Sequence, residues 1–191
     1  DPVVEFDTGS VLTQPFVARY GLAITNTSEF TDFLLGAEGR AKPAADDILS
    51  PNILNANLLA QGGANHTALD NWQAPVGIEV IQIVGWGVPT IRGIKYLART
   101  RSGAACAVSD CRFLDHEPQM TIDGDRTVIT DSAVASDAET YYLDLKTHNK
   151  NLFVPINHVN ILEALPMLGF LESIIKDNLS LQSDITVTRP L

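Results

Sequence analysis

The sequence predicts an α/β fold, and three segments in its C-terminal part carry that prediction. Residues 78–84 (IEVIQIV) are β-branched and almost continuously apolar, which is typical of a buried strand. Residues 140–145 (TYYLDL) have the composition of a second strand. Residues 161–175 are amphipathic and predict a closing helix, which Pro166 should kink or restart.

Shorter elements are expected between and after these segments. Residues 85–89 (GWGVP) end the buried strand with a turn. Residues 90–97 then predict a strand that pairs with residues 119–122 across a polar loop. A short helix is expected near residues 132–135, and an edge strand at residues 184–188.

The N-terminal segment, residues 1–75, is rich in small and polar residues and has weaker patterns. Short helices are predicted over residues 28–35 and 53–59. Short strands are expected near Val3 and Val11. The segment therefore reads as mainly helical.

Composition and charge exclude several classes of protein. The 191 residues are 45% hydrophobic and 19% charged, which is globular rather than disordered. The net charge of −10 repels phosphate backbones and anionic lipid headgroups, so nucleic acid is not expected as a partner. No apolar run approaches the roughly 20 residues that span a bilayer.

Two cysteines, Cys106 and Cys111, lie close together in CAVSDC. The spacing fits a small local disulfide and fits two free thiols equally well. A bridge would indicate an exported protein, so the expected location is extracellular or in the cell envelope. Two cysteines without nearby histidines make a poor zinc site, and no metal is expected.

Three polar motifs follow one another in the C-terminal part: residues 85–90 (GWGVPT), residues 123–128 (DGDRTV) and residues 158–160 (HVN). Histidine suits general-base chemistry because its pKa lies near neutrality. A carboxylate on the other ring nitrogen holds the imidazole in one tautomer and stabilises the imidazolium. Hydrolases of the α/β class order their triad as serine, acid, histidine, and Asp125 and His158 fit the last two places.

In this order the motifs resemble the C-terminal part of the lecithin:cholesterol acyltransferase-like lipases, a branch of the α/β-hydrolases. The resemblance covers about residues 76–176. It implies that residues 76–191 are the C-terminal half of an α/β-hydrolase sheet with a hairpin excursion, and that residues 1–75 are a cap- or lid-like segment with a lead-in helix. It also implies that Asp125 is the triad acid and His158 the general base.

The sequence departs from that family in lacking the nucleophile. No G-x-S-x-G elbow occurs, and Ser10 in DTGSVL lacks a following helix pattern. The resemblance therefore implies that the serine and the oxyanion hole lie upstream of residue 1. The parent protein is expected to be a serine ester hydrolase or acyltransferase for a lipid-like or apolar ester, without a cofactor. This chain by itself is expected to be inactive. Its exposed sheet edge is expected either to pair with a second copy in a homodimer or to be covered by a rearranged N-terminal region.

Other interpretations stay open. The chain is also compatible with a non-catalytic, hydrolase-derived domain that binds a ligand or partner. Asp123 is expected to shape the acid turn, although residues 123–125 also fit a plain β-turn or a calcium loop, which Arg126 and Val128 would interrupt. His158 also fits a loop histidine at a helix start. The sequence does not choose the substrate, the acyl acceptor, or hydrolysis over transfer.

Overall fold

The computed structural model is a mixed α/β protein with two sheets, so the predicted α/β class is confirmed. It describes residues 2–100, 112–134, 138–151, 153–176 and 185–187. Cys106 and Cys111 lie outside the described residues. The chain forms two compact units: the first unit comprises Asp1–Leu69 and Arg92–Gln119, and the second unit comprises Asp70–Ile91 and Met120–Leu191.

The described elements begin with short pieces and lengthen toward the middle of the chain. In chain order they are β1 (Val4–Phe6), α1 (Gln14–Tyr20), β2 (Ala23–Ile24), α2 (Thr27–Leu34), α3 (Ala56–Asp70), β3 (Ile81–Trp86), β4 (Thr90–Thr100), β5 (Arg112–Thr121), α4 (Thr130–Ala133), β6 (Glu139–Asp144), α5 (Leu145–His148), two 3₁₀ helices (Asn149–Asn151 and His158–Glu163), α6 (Leu165–Ile175) and β7 (Ile185–Thr186). None of the described helices is both long and apolar enough to cross a membrane.

A four-stranded sheet in the order β2-β1-β4-β5 lies mainly in the first unit. Strand β1 pairs antiparallel with β2 and parallel with β4. The core of the first unit is largely aromatic. The rings of Phe6 and Phe16 stack with their centres 5.1 Å apart, and Tyr20, Phe33 and Tyr96 pack around them. Aromatic burial of this kind contributes strongly to the stability of so small a core.

A buried ion pair in the first unit was not predicted. Glu38 pairs with Arg40, whose guanidinium lies 4.7 Å from the centre of the Phe33 ring. The Tyr20 hydroxyl donates a hydrogen bond to Glu38 at 2.8 Å. Burial, together with this carboxylate, raises the pKa of Tyr20 above its ordinary value.

Two N-terminal predictions were wrong in position. The chain forms a turn at Val11 instead of the predicted strand. The Ser10 carbonyl accepts the amide of Gln14, and this turn leads into α1. Helix α3 runs to Asp70, beyond the predicted end at residue 59. Glycine costs about 1 kcal/mol in a helix, so Gly62 and Gly63 suggested a break that the exposed helix does not make.

The second unit contains a three-stranded sheet in the order β3-β6-β7. Strands β3 and β6 are parallel, with Val84 opposite Tyr142, and β7 pairs antiparallel with β6. The predicted strands at residues 78–84, 140–145 and 184–188 are therefore confirmed within a few residues. Helix α6 packs against this sheet, with the Phe170 ring 4.6 Å from that of Tyr141.

Proline restarts the last helix as predicted. The 3₁₀ helix ends at Glu163, and α6 begins at Leu165 with Pro166 in its first turn, where the missing amide costs nothing.

The grouping into units differs from the sequence-based division at residue 75. Residues 92–119 group with the N-terminal segment instead of with the rest of the C-terminal part. The assignment of residues 1–75 and 76–191 to a cap and a core therefore stays a prediction.

Candidate active site

Residues 123–128, here called the acid loop, are hydrogen-bonded to the turn that follows β3 in the second unit. Gly87 has φ 95° and donates its amide to the carbonyl of Ile122 at 2.9 Å. Val88 donates its amide to the carbonyl of Gly124 at 3.2 Å, and forms a parallel bridge with Asp125. The first two predicted motifs are thus in direct contact, and Asp125 lies beside the end of β3.

Close packing explains a glycine in each of these motifs. A Cβ at Gly124 would lie 2.5 Å from Thr90 Oγ1 and 2.6 Å from the Val128 carbonyl oxygen. A Cβ at Gly85 would lie 3.0 Å from that of Asp125. These distances leave no room for a side chain at either glycine, so the loop reaches its position only because these residues have none.

The Asp125 carboxylate is buried and fully engaged. Its Oδ1 accepts the backbone amides of Thr127 at 3.1 Å and Val128 at 2.8 Å. Its Oδ2 lies 2.8 Å from His158 Nδ1. The residue is only 6% exposed, so both oxygens are held in one orientation. Asp123 shapes the same turn, since its carbonyl accepts the amide of Thr130 at 3.1 Å.

His158 is placed by its own backbone as well as by its ring. Asn157 caps the 3₁₀ helix: its side chain accepts the Val159 amide at 3.0 Å, and its amide is accepted by Asn160 Oδ1 at 2.8 Å. The His158 amide donates to the Asp125 carbonyl at 2.9 Å. The acid and the histidine are therefore joined twice, through side chains and through backbone.

The histidine presents one nitrogen for chemistry. Asp125 can only accept at Oδ2 when ionised, so the neutral imidazole carries its proton on Nδ1 and its lone pair on Nε2. The His158 side chain is 48% exposed, and within the described part of the chain Nε2 has no hydrogen-bond partner. This arrangement can take a proton from a hydroxyl and return it to a leaving group.

Two further residues of the site belong to the predicted motifs, although the sequence predicts no role for them at this site. Thr90 is completely buried, and its Oγ1 accepts the Arg126 amide at 2.8 Å and contacts the Val88 carbonyl at 3.1 Å. Arg126 has a φ of 86°. Among the described residues it is the one non-glycine residue with a positive φ. The proline before Thr90 signalled a turn, but nothing in the sequence linked Thr90 to a loop 36 residues away.

A cleft of about 180 Å³ opens beside the pair. Its described lining includes the residue after the acid, Arg126, and the residue before the histidine, Asn157. The others are Val88, Pro89, Asn149, Pro155 and Ile156. Among the described lining residues one is cationic, two carry amide side chains and the rest are apolar.

No serine of the described chain serves the histidine. Ser10 lies in the first unit, where its Oγ accepts the Leu12 amide at 3.2 Å. Ser173 donates to the Phe170 carbonyl at 2.7 Å within α6. In the described residues no hydroxyl or thiol hydrogen-bonds to His158 Nε2, in keeping with the missing elbow.

Comparisons with protein-family models, with curated proteins and with solved structures found no match for this chain. The resemblance to lipases therefore rests on the three motifs alone. The catalytic roles of Asp125 and His158 stay predictions, supported by the geometry of the pair.

Proposed function

We propose that this chain supplies the acid and the base of a serine ester hydrolase or acyltransferase acting on a lipid-like or apolar ester. Residues 76–191 would be the C-terminal half of the hydrolase sheet, and residues 1–75 its cap or lid. The observation that carries the proposal is the 2.8 Å contact between Asp125 Oδ2 and His158 Nδ1, with Nε2 directed away from it.

In this mechanism the nucleophilic serine comes from a hydrolase half outside the 191 residues. His158 Nε2 removes the serine proton as the oxygen attacks the ester carbonyl, and Asp125 stabilises the imidazolium that forms. The imidazolium then protonates the leaving alcohol, which leaves an acyl-serine. Water or a second alcohol is activated by the same nitrogen, giving hydrolysis or transfer.

Exposed apolar side chains near the histidine support an apolar substrate. Val159 and Leu162 on the 3₁₀ helix are 88% and 60% exposed, and Phe153 and Leu165 on either side are also exposed. Exposed apolar surface next to a catalytic group favours binding of an apolar chain, or coverage by another segment of the enzyme.

Ester hydrolysis by variants tests the proposal. In a protein extended to include the upstream hydrolase half, p-nitrophenyl octanoate should be hydrolysed, and His158→Ala and Asp125→Asn should lower kcat by about 10³- to 10⁴-fold. His66→Ala, on exposed helix α3, is the matched control and should leave kcat unchanged. Unchanged turnover in His158→Ala would contradict the proposal.

The isolated chain tests the location of the nucleophile. It should show no turnover above the blank, and serine-reactive phosphonates should not label it. Labelling or reagent-sensitive turnover would place the nucleophile within these residues. A search of the coding sequence before residue 1 for G-x-S-x-G in the same frame decides between the enzyme and a non-catalytic binding domain, which its absence would favour.

A further inference from the structure

Arg126, which directly follows the acid of the candidate pair, has a strained backbone conformation. Its φ of 86° is disfavoured for any residue with a Cβ. The peptide is fixed there by its amide, which donates to the buried Thr90 hydroxyl at 2.8 Å. Strained residues of this kind persist where the surroundings hold them, and they cluster at ligand sites.

The guanidinium of Arg126 is available for a ligand. The side chain is exposed, and among the described residues it has no ion pair or hydrogen bond. This is notable in a chain with 23 acidic and 13 basic residues. Among the described residues that line the cleft none is acidic, while Asn149 and Asn157 contribute amides.

The remaining wall of the cleft is apolar, formed by Val88, Pro89, Pro155 and Ile156. A cleft with one unpaired arginine and an apolar wall is complementary to an amphiphile with an anionic head. Guanidinium binds carboxylate and phosphate through two parallel hydrogen bonds, and does so more strongly than neutral donors bind them. The cleft of about 180 Å³ holds a head group and part of a chain, with the rest extending outside.

We propose that Arg126 is a specificity residue that binds the carboxylate or phosphate of an amphiphilic ligand in this cleft. The substrate class that follows is an ester carrying an anionic group, and that part of the inference rests on the proposed function. Arg126 adjoins Asp125, and Asn157 adjoins His158, at the roughly 3.8 Å spacing of consecutive Cα atoms. A head group bound in the cleft is therefore held beside the pair.

Binding to the 191-residue chain tests the inference without relying on catalysis. The probes are dodecanoate and dodecyl phosphate below their micellar concentrations, with dodecyltrimethylammonium as the cationic control, measured by calorimetry. Arg126→Gln should weaken binding of the anionic probes by about tenfold or more, as expected for loss of a charge-assisted hydrogen bond. Whichever anionic probe binds more tightly identifies the head group as carboxylate or phosphate.

Matched variants separate this effect from net charge and from folding. Lys176→Gln removes a cation from the same unit, one that pairs with Glu172 on α6, and should leave affinity within about twofold. Arg126→Lys keeps the charge but loses the fork, and should bind with intermediate affinity. Equal affinity of Arg126→Gln and the parent chain, or equally tight binding of the cationic probe, would overturn the proposal.

The catalytic proposal can fail separately. His158→Ala should retain anion binding while removing ester turnover in the extended protein. Anion binding that depends on Arg126, without any turnover, would support the binding site and contradict the enzyme. Turnover with no preference for anionic over neutral esters, unchanged in Arg126→Gln, would support the enzyme and contradict the substrate class.

Discussion

At the scale of single residues, Asp125 shows how one carboxylate does two jobs. One oxygen closes its own turn by accepting two backbone amides, and the other oxygen holds the imidazole of His158. Because the turn fixes the carboxylate, the histidine has one preferred orientation. A loop histidine at a helix start, the simpler alternative for His158, would not require a buried acid at 2.8 Å.

Arg126 gives a prediction at this scale, because its backbone suits glycine better than arginine. Arg126→Gly relieves about 1–2 kcal/mol of positive-φ strain and adds about 0.5–1 kcal/mol of backbone entropy cost. The variant should therefore be as stable as the parent, or up to about 1.5 kcal/mol more stable, in urea unfolding, while losing anion binding. A loss of more than about 1 kcal/mol would show that the arginine side chain stabilises the loop.

At the scale of elements, the join between the β3 turn and the acid loop depends on the absence of a side chain at Gly124. Gly124→Ala would press a methyl group against Thr90 Oγ1 and a backbone carbonyl, and should lower the free energy of unfolding by about 1–3 kcal/mol. The measurement is urea unfolding followed by circular dichroism.

Gly62→Ala is the matched control for this substitution. Gly62 lies in exposed helix α3 with open space around it, so alanine should raise stability by about 0.5–1 kcal/mol through helix propensity. A similar response of the two glycines would contradict the packing explanation for the acid loop.

Strand β6 carries a prediction about pH. The Tyr141 hydroxyl donates to Glu139 at 2.6 Å, and this bond, with burial, raises the pKa of Tyr141 to about 12. In the unfolded chain tyrosine titrates near pH 10. The folded state thus keeps its proton longer, so the stabilisation is complete below about pH 10 and is lost as the pH rises from about 10 to 12.

Urea unfolding of the parent chain and Tyr141→Phe at pH 8 and at pH 11 checks this effect. The parent chain should lose more stability between the two values than the variant, which has no hydroxyl to ionise. Equal losses would show that Tyr141 does not contribute to alkaline unfolding.

At the scale of the whole molecule, the expected partner is another strand. Among the described strands β3 is an outer strand of its sheet, although it is parallel and largely apolar, as interior strands usually are. Sedimentation of the 191-residue chain should therefore show dimers that dissociate on dilution, and the extended protein should be monomeric. A chain that stays monomeric at high concentration would contradict the expected self-association.

Local patterns were sufficient to predict the strands of the second unit and the proline restart before α6. They also indicated Asp125 and His158 as a candidate acid and base that would lie together. These features depend on neighbours along the chain: apolar periodicity, a fixed proline φ, and motif order. The turn at Val11 and the length of α3 were mispredicted because short segments carry weak local preferences that context overrides.

Only the tertiary structure decided which distant residues meet. It joined Thr90 to the acid loop, placed the unpaired Arg126 in a cleft, and grouped residues 92–119 with the N-terminal segment. Such contacts depend on chain segments folding back onto one another, and nothing in a local pattern encodes their register. The sequence by itself determined the α/β class and named a candidate acid and base. The fold set the 2.8 Å between them, because the His158 amide donates to the Asp125 carbonyl and glycines at 85 and 124 let the acid loop pack against the turn after β3.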